Sequence, residues 1–248
     1  MDSPVEAGDT ALVPEEESRH IFKVLRARKG DRIEVVSPDR KLFLAELVGE
    51  REAELLEEME LSGEPNLHVT LYQAVPKGKH MDLVVEKATE LGAQRIVPLL
   101  TDHGEVRPTG ESKSDRWRRL AGAAARQSLQ LRVPEIPEPL TFHEAVGKIR
   151  EAGETGVMLH NGEDLTSLET ALYAAAGPVA LLVGPEGGWS EEELRLGAQA
   201  KLAAAQMGPY RLRSETAGVA AVARAEAFMR ENAAGASVNR TAARPRTE

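Results

Sequence analysis

Apolar and polar residues keep two different rhythms along this chain, and the change between them falls near residue 66. Before it, Pro14 followed by Glu15, Glu16 and Glu17 predicts a helix start, with proline in the first turn and carboxylates facing the positive end of the dipole. Ile21, Val24 and Leu25 keep helical spacing until Lys29-Gly30-Asp31 breaks it. Short alternating runs follow at Arg32–Val36, Lys41–Val48 and Glu54–Leu61, with a turn at Ser37-Pro38-Asp39. Strands of this length and spacing predict a small β-barrel. The loop-forming stretch Ser62–Asn66 marks the expected boundary between a first domain, 1–66, and a second, 67–234.

From Leu67 strands alternate with helices. Leu67–Ala74, Arg95–Leu100, Gly156–Leu159, Val179–Val183 and Ala203–Gln206 read as buried strands. His80–Leu91 closed by Gly92, Ser114–Gln130 and Glu215–Glu231 read as helices. Thr141 with Glu144, and Ser190 with Glu193, have the spacing of capping boxes. Such alternation predicts an α/β domain with a mostly parallel sheet. The small, polar and basic residues 235–248 predict a disordered tail.

Composition narrows the function classes. The chain has 248 residues, 42% of them hydrophobic, and no cysteine, so disulfides, thiolate catalysis and Cys-based zinc sites are excluded. Its six histidines form no HxxxH or HExxH pair, and no catalytic metal is expected. Neither a secretory signal nor an apolar run of about 18–20 residues is visible, so a cytoplasmic protein without a membrane partner is expected. A net charge of −9 argues superficially against nucleic acid, but charge is clustered. Residues 19–32 and residues 107–132 each carry a local charge of +5. Arg19, Lys23, Arg26 and Arg28 in the first, with Arg107, Arg126 and Arg132 in the second, are the candidate RNA contacts. Solvated helix faces are the plainer explanation of either segment alone.

Two stretches carry the candidate chemistry. In LLVGPEGGWSEEEL, residues 181–194, a strand runs into Gly184-Pro185-Glu186-Gly187-Gly188 and then a capped helix. The glycines permit close backbone approach to a ligand, and free amides at the helix start bind polar groups. A tight β–α turn would look the same, and the pattern is neither a P-loop nor a GxGxxG fingerprint. In MGPYRLRSETA, residues 207–217, Glu215 suits the first turn of a helix, whereas Arg213 opposes the dipole there. A local rule broken without compensation points to function. A catalytically inert RNA-binding protein and a nucleotide-binding enzyme with GPEGG as an anion loop remain as alternatives.

HIFKVLRARKGDRIEV, KATELGAQRIVPL, VGPEGGWSEEEL and LRSETA, in this order and at these separations, resemble the 16S ribosomal RNA uracil-N3 methyltransferases. The likeness spans roughly residues 14–230. It implies a PUA-like RNA-binding β-barrel followed by a SPOUT methyltransferase domain, whose mostly parallel sheet with flanking helices is tied in a deep trefoil knot, an exception to the rule against threaded connections. It implies S-adenosylmethionine as cofactor, 16S ribosomal RNA or the assembled small subunit as partner, and a homodimer. The implied cofactor residues are Leu159 and His160; Leu182, Val183, Gly184, Pro185, Glu186, Gly187 and Gly188; and Met207, Gly208, Leu212, Thr216 and Ala217. Arg213 and Glu215 are the implied catalytic pair. Gln130 stands where the family carries arginine, with Arg132 two positions on as its substitute.

Overall fold

The computed structural model describes residues 5–37, 41–59, 68–105, 111–162, 164–175 and 177–242. The chain divides into two compact units, Met1–Glu64 and Pro65–Glu248. The expected boundary loop, Arg107 and the end of the tail lie outside the described residues.

In the first unit, β1 (Thr10–Leu12), β2 (Arg32–Val36), β3 (Leu42–Gly49) and β4 (Glu52–Met59) form an antiparallel sheet in the order β1-β4-β3-β2. Its inner face carries Phe43, Ala45, Leu47, Ala53 and Leu55, alternate residues of paired strands, and Val13 joins them. The helix announced by Pro14 is shorter than its apolar spacing suggests. Regular helix α1 covers only Glu15–Arg19, and a π-helical turn takes over from His20 to Val24. Arg26 then adopts a left-handed backbone (φ 59°), which ends the helix before the Lys29-Gly30 break.

The second unit is a three-layer α/β structure. Strands β5 (Val69–Ala74), β6 (Arg95–Leu100), β7 (Leu140–Thr141), β8 (Thr155–Leu159), β9 (Thr166–Ser167), β10 (Val179–Val183) and β11 (Ala203–Gln206) build one parallel sheet. The order is β7-β6-β5-β10-β8-β11-β9. Period-two alternation sorts side chains to its two faces. Leu71, Val157, Leu159, Leu181 and Val183 meet α2 (His80–Glu90), α3 (Glu111–Gln127), α5 (Leu168–Tyr173) and α7 (Ser214–Ala242). Tyr72, Met158, Ala180 and Leu182 meet α4 (Phe142–Ala152) and α6 (Glu191–Gln199). Burial on both faces explains why these strands read as near-continuous apolar runs. Both expected capping boxes are formed, at Thr141/Glu144 and Ser190/Glu193.

The C-terminus departs from expectation. Helix α7 continues through Ala242, well beyond Glu231 and into the stretch read as disordered. Ala233, Ala234 and Ala236 are strong helix formers, and adding residues to an established helix avoids the nucleation cost that a separate segment would face.

Candidate functional site

All strands of the large sheet run the same way, so the loops after β5, β6, β8, β10 and β11 gather along one edge, where ligands of open α/β sheets bind. A cavity of about 500 Å³ opens there. Leu159, His160 and Asn161 follow β8; Val183 through Trp189 follow β10; Met207, Tyr210, Arg211, Leu212, Arg213, Ser214 and Ala217 lead from β11 into α7. Most of the expected cofactor residues therefore meet in space. Leu182 points to the other face of the sheet, and Gly208, Thr216 and Glu215 do not line the cavity. Asn161, Trp189, Tyr210, Arg211 and Ser214 also line it, beyond the expected cofactor residues.

The β10 loop is held by its neighbours. Trp189 Nε1 donates to the Leu159 carbonyl (2.8 Å), joining this loop to the end of β8. The capping carboxylate Glu193, nearly fully buried, accepts from Ser190 N (2.8 Å) and also from Asp102 N (3.0 Å) beyond β6. Ser190 Oγ donates to Asp102 Oδ2 (2.6 Å), and His103 Nδ1 lies 3.1 Å from the Gly188 carbonyl oxygen. Glu186 accepts from Lys77 N (3.2 Å) after β5.

The glycines of this loop also serve its own packing. A Cβ on Gly184 would approach the Trp189 ring to 3.0 Å, and one on Gly187 would approach His103 Cβ to 3.1 Å. At both positions a side chain would press on the loop's own packing partners, and both glycines also line the cavity. Gly188 is required for its backbone, at φ +73°.

Across the cavity, Arg213 is exposed and has no ion pair among the described residues. Its carbonyl accepts from Ala217 N (2.8 Å), so the residue is fixed at the root of α7 while its guanidinium is left available. Ser214 is buried and donates to the Gly184 carbonyl (2.7 Å), which ties the two walls together. Glu215, only 7% exposed, turns away from the cavity towards His80 at the start of α2. Its Oε1 lies 3.5 Å from His80 Nδ1, and the histidine side chain is 49% exposed. Of the two expected charges, Arg213 lines the cavity, whereas Glu215, in the first turn of α7, does not and lies beside His80. Behind the wall Arg224 forks onto Glu169 (2.6 and 2.7 Å) and also donates to the Met207 carbonyl.

The two basic segments differ. In the first, Arg19 lies 3.5 Å from Glu15, both exposed, while Lys23, Arg26 and Arg28 are exposed without ion pairs among the described residues. In the second, Arg116 forks onto Asp82 (3.2 and 2.5 Å), and Arg118 bridges Glu138 (2.7 Å) and Asp115 (2.8 Å). Arg126 and Arg132 are exposed. Gln130, at the position expected to carry arginine, donates to the Glu90 carbonyl (3.3 Å) at the end of α2.

The description "RNA methyltransferase domain" belongs to a family model that matches residues 63–226, and "RNA methyltransferase PUA domain" to one that matches residues 13–58. Together with the parallel sheet and its three-loop cavity, these matches define the class: an RNA methyltransferase domain of SPOUT architecture behind a PUA domain. The ribosomal RNA small subunit methyltransferase E of Synechocystis is 32% identical over 216 residues, covering 85% of this chain and 70% of its own. That of Mycobacterium tuberculosis is 32% identical over 237 residues, covering 90% and 88%. The chain belongs to the ribosomal RNA small subunit methyltransferase E family. Among solved structures, the Neisseria gonorrhoeae ribosomal RNA small subunit methyltransferase E bound to S-adenosyl methionine superposes with a TM-score of 0.80 at 28% identity, covering 92% of this chain and 95% of that one. A Legionella pneumophila protein described as a methyltransferase, in complex with the bound cofactor SAM, superposes with a TM-score of 0.76 at 30% identity, covering 91% and 94%.

Proposed function

We propose that this protein methylates N3 of one uridine of 16S ribosomal RNA, of the uracil-1498 type, as a homodimer that uses S-adenosylmethionine. The observation that carries this reading is the cavity between the β8, β10 and β11 loops with the exposed Arg213 on its wall. Its volume of about 500 Å³ lies within the range of cofactor sites, about 300–1,000 Å³. Leu159, Met207, Leu212 and Ala217 offer apolar surface for an adenosyl group, and the glycine-rich β10 loop offers backbone groups for its polar edges. The residues present thus fit the cofactor that the two similar solved structures hold.

S-adenosylmethionine, when bound, supplies an electrophilic methyl group on a sulfonium. The remaining requirements fall on the chain. Uracil N3 carries a proton and is a poor nucleophile until it leaves, so the site must stabilise the anion and accept the proton. Arg213, with its guanidinium free at the cavity, suits the oxygens flanking N3. Glu215 is the proton acceptor in this reading; because it does not line the cavity, the proton would reach it through one bridging water, with His80 beside it towards solvent. The target base must leave any stack to reach the methyl group. Lys23, Arg26 and Arg28 of the first unit, and Arg107, Arg126 and Arg132 of the second, supply phosphate contacts.

Mapping methylated nucleosides in 16S ribosomal RNA from cells with and without the protein tests the proposal. Loss of one N3-methyluridine, restored by the wild-type protein and not by Arg213→Ala, is the expected result. An unchanged methylation map overturns it.

A further inference from the structure

A fully buried glutamine sits in the centre of the apolar sheet, outside the cavity, and its polar atoms lead into the cavity wall. Gln73 lies on β5, opposite Val183 of β10 and Pro98 of β6. A leucine or methionine would fill such a position without burying an amide. Gln73 Nε2 donates to the Ala74 carbonyl (3.0 Å) and to Ser214 Oγ (2.9 Å). Ser214 Oγ in turn donates its single proton to the Gly184 carbonyl (2.7 Å). Ser214 and Gly184 both line the cavity, on opposite walls, whereas Gln73 does not.

The direction of this chain of hydrogen bonds is fixed. Reversing the amide would set its oxygen against the Ala74 carbonyl and against a hydroxyl whose proton is already committed to Gly184. The cost falls on Gln73 Oε1, which is buried and has no hydrogen-bond partner among the described residues. Helix α7 is shaped around that oxygen: a Cβ on Gly218 would lie 2.1 Å from it. An unsatisfied oxygen and a glycine inside a helix are both destabilising, and both are tolerated at the same point. A fold selected for stability alone has no use for either.

We infer that Gln73 is a positioning residue for the cofactor site: through the Ser214 hydroxyl it fixes the Gly184 carbonyl and so the spacing between the β10 loop and the root of α7. The inference rests on the reading of this cavity as the S-adenosylmethionine site. Residues 73, 184 and 214 are far apart in sequence, and the relay joins the strand, the loop and the helix that must agree for the cavity to keep its width.

Calorimetric titration with S-adenosylhomocysteine, which cannot react, tests it on folded, full-length variants. Ser214→Ala should weaken binding about ten-fold, Ser214→Thr should stay within about two-fold of wild type, and Gln73→Met should lose about as much as Ser214→Ala. The double variant should bind no worse than Ser214→Ala alone, because each substitution breaks the same chain. Multiplying losses in the double variant, or unchanged affinity in the single ones, overturns the relay. Should Gln73→Met fail to fold, the alanine–threonine pair at 214 decides: equal affinities overturn the inference. A wild-type protein that binds no S-adenosylhomocysteine sinks the reading of the cavity itself, which is a different result from wild-type binding that the variants retain.

Discussion

The two walls of the cavity are built on opposite principles. The β10 loop is pinned from several sides, by Trp189 to the end of β8, by Glu193 and Ser190 to Asp102, and by Glu186 to Lys77. The wall leading into α7 is fixed at its root, through Ser214 and Arg224, and open at its surface, where Tyr210 is 80% exposed and Arg211 and Arg213 are exposed. The difference teaches a division of labour. A pinned loop keeps a pre-formed shape for a small ligand, while a free guanidinium and an exposed ring can meet a large substrate that arrives later. The proposed function gives the cofactor the pinned loop and the apolar residues Met207, Leu212 and Ala217 of the second wall, and gives the target base that wall's exposed Arg213.

The sharpest way to break this comparison is Arg213→Ala. It should lower the single-turnover rate about 100-fold, the scale of losing one charge-stabilising donor, with S-adenosylhomocysteine affinity within about two-fold of wild type. A comparable loss of cofactor affinity would erase the distinction between the walls. Glu215→Gln removes the proposed proton acceptor and keeps the shape, and higher pH should partly restore its rate because more uracil is already deprotonated. If Glu215 serves only the helix dipole, worth about 0.3–1 kcal/mol, the variant will lose a little thermal stability and keep its single-turnover rate.

On the pinned wall, Trp189→Phe keeps an aromatic ring but deletes the bond to the Leu159 carbonyl. Its expected effect is a roughly ten-fold loss of cofactor affinity, with turnover at saturating cofactor nearly intact. Gly187→Val should act similarly, by pushing against His103. Unchanged affinity in these folded variants would mean that the pinning is unrelated to the ligand.

A second contrast, between the basic segments, carries a smaller effect. Reversing Arg26 and Arg28 to glutamate should weaken RNA binding several-fold and flatten its dependence on salt, leaving cofactor affinity unchanged. Arg118→Gln should instead lower the melting temperature and spare RNA binding, because its guanidinium is committed to Glu138, Asp115 and the Ile136 carbonyl. Filter binding over a salt series, beside thermal melts, separates the two behaviours.

The smallest effect lies further along α7. Burial raises the Glu226 carboxyl from 4.5 to about 7, with Arg230 opposing the shift. A carboxyl whose pKa rises on folding binds its proton more tightly in the folded chain. Its contribution is fully present below about 4.5 and is lost as pH climbs through about 7. Glu226→Gln imitates the protonated form, so it should leave the melting temperature almost unchanged at pH 5 and raise it by a few degrees at pH 8. Equal shifts at both pH values would show that the carboxyl is not the titrating group.

Local physics was legible in the sequence. The strands at Arg32–Val36, Arg95–Leu100, Val179–Val183 and Ala203–Gln206 follow the limits of their apolar runs, and Thr141/Glu144 and Ser190/Glu193 cap helices as their spacing requires. These features depend on residues within a few positions of one another. The short strands β7 and β9, of two residues each, had no such signal, since they exist only where a neighbouring strand offers partners. The glycine loop and the Arg213 anomaly marked the candidate site, and the resemblance supplied its chemistry.

What tertiary structure decided is everything that depends on contacts between distant residues. Equal local charge of +5 became an available patch at Lys23, Arg26 and Arg28 but a partly neutralised one at Arg116 and Arg118, because Asp82 and Glu138 lie within reach only after folding. Gly184 and Gly187 also leave room for Trp189 and His103, partners that no local pattern names. Glu215 sits two residues from Arg213 in the chain, yet the start of a helix sends the two side chains in different directions, one to the cavity and the other to His80. Gln73 carried no mark at all in the sequence: an amide inside an apolar strand acquires meaning only when Ser214, 141 residues later, closes on it. Sequence periodicity records which face of an element is buried, whereas the partner each polar atom finds is fixed by how the elements pack.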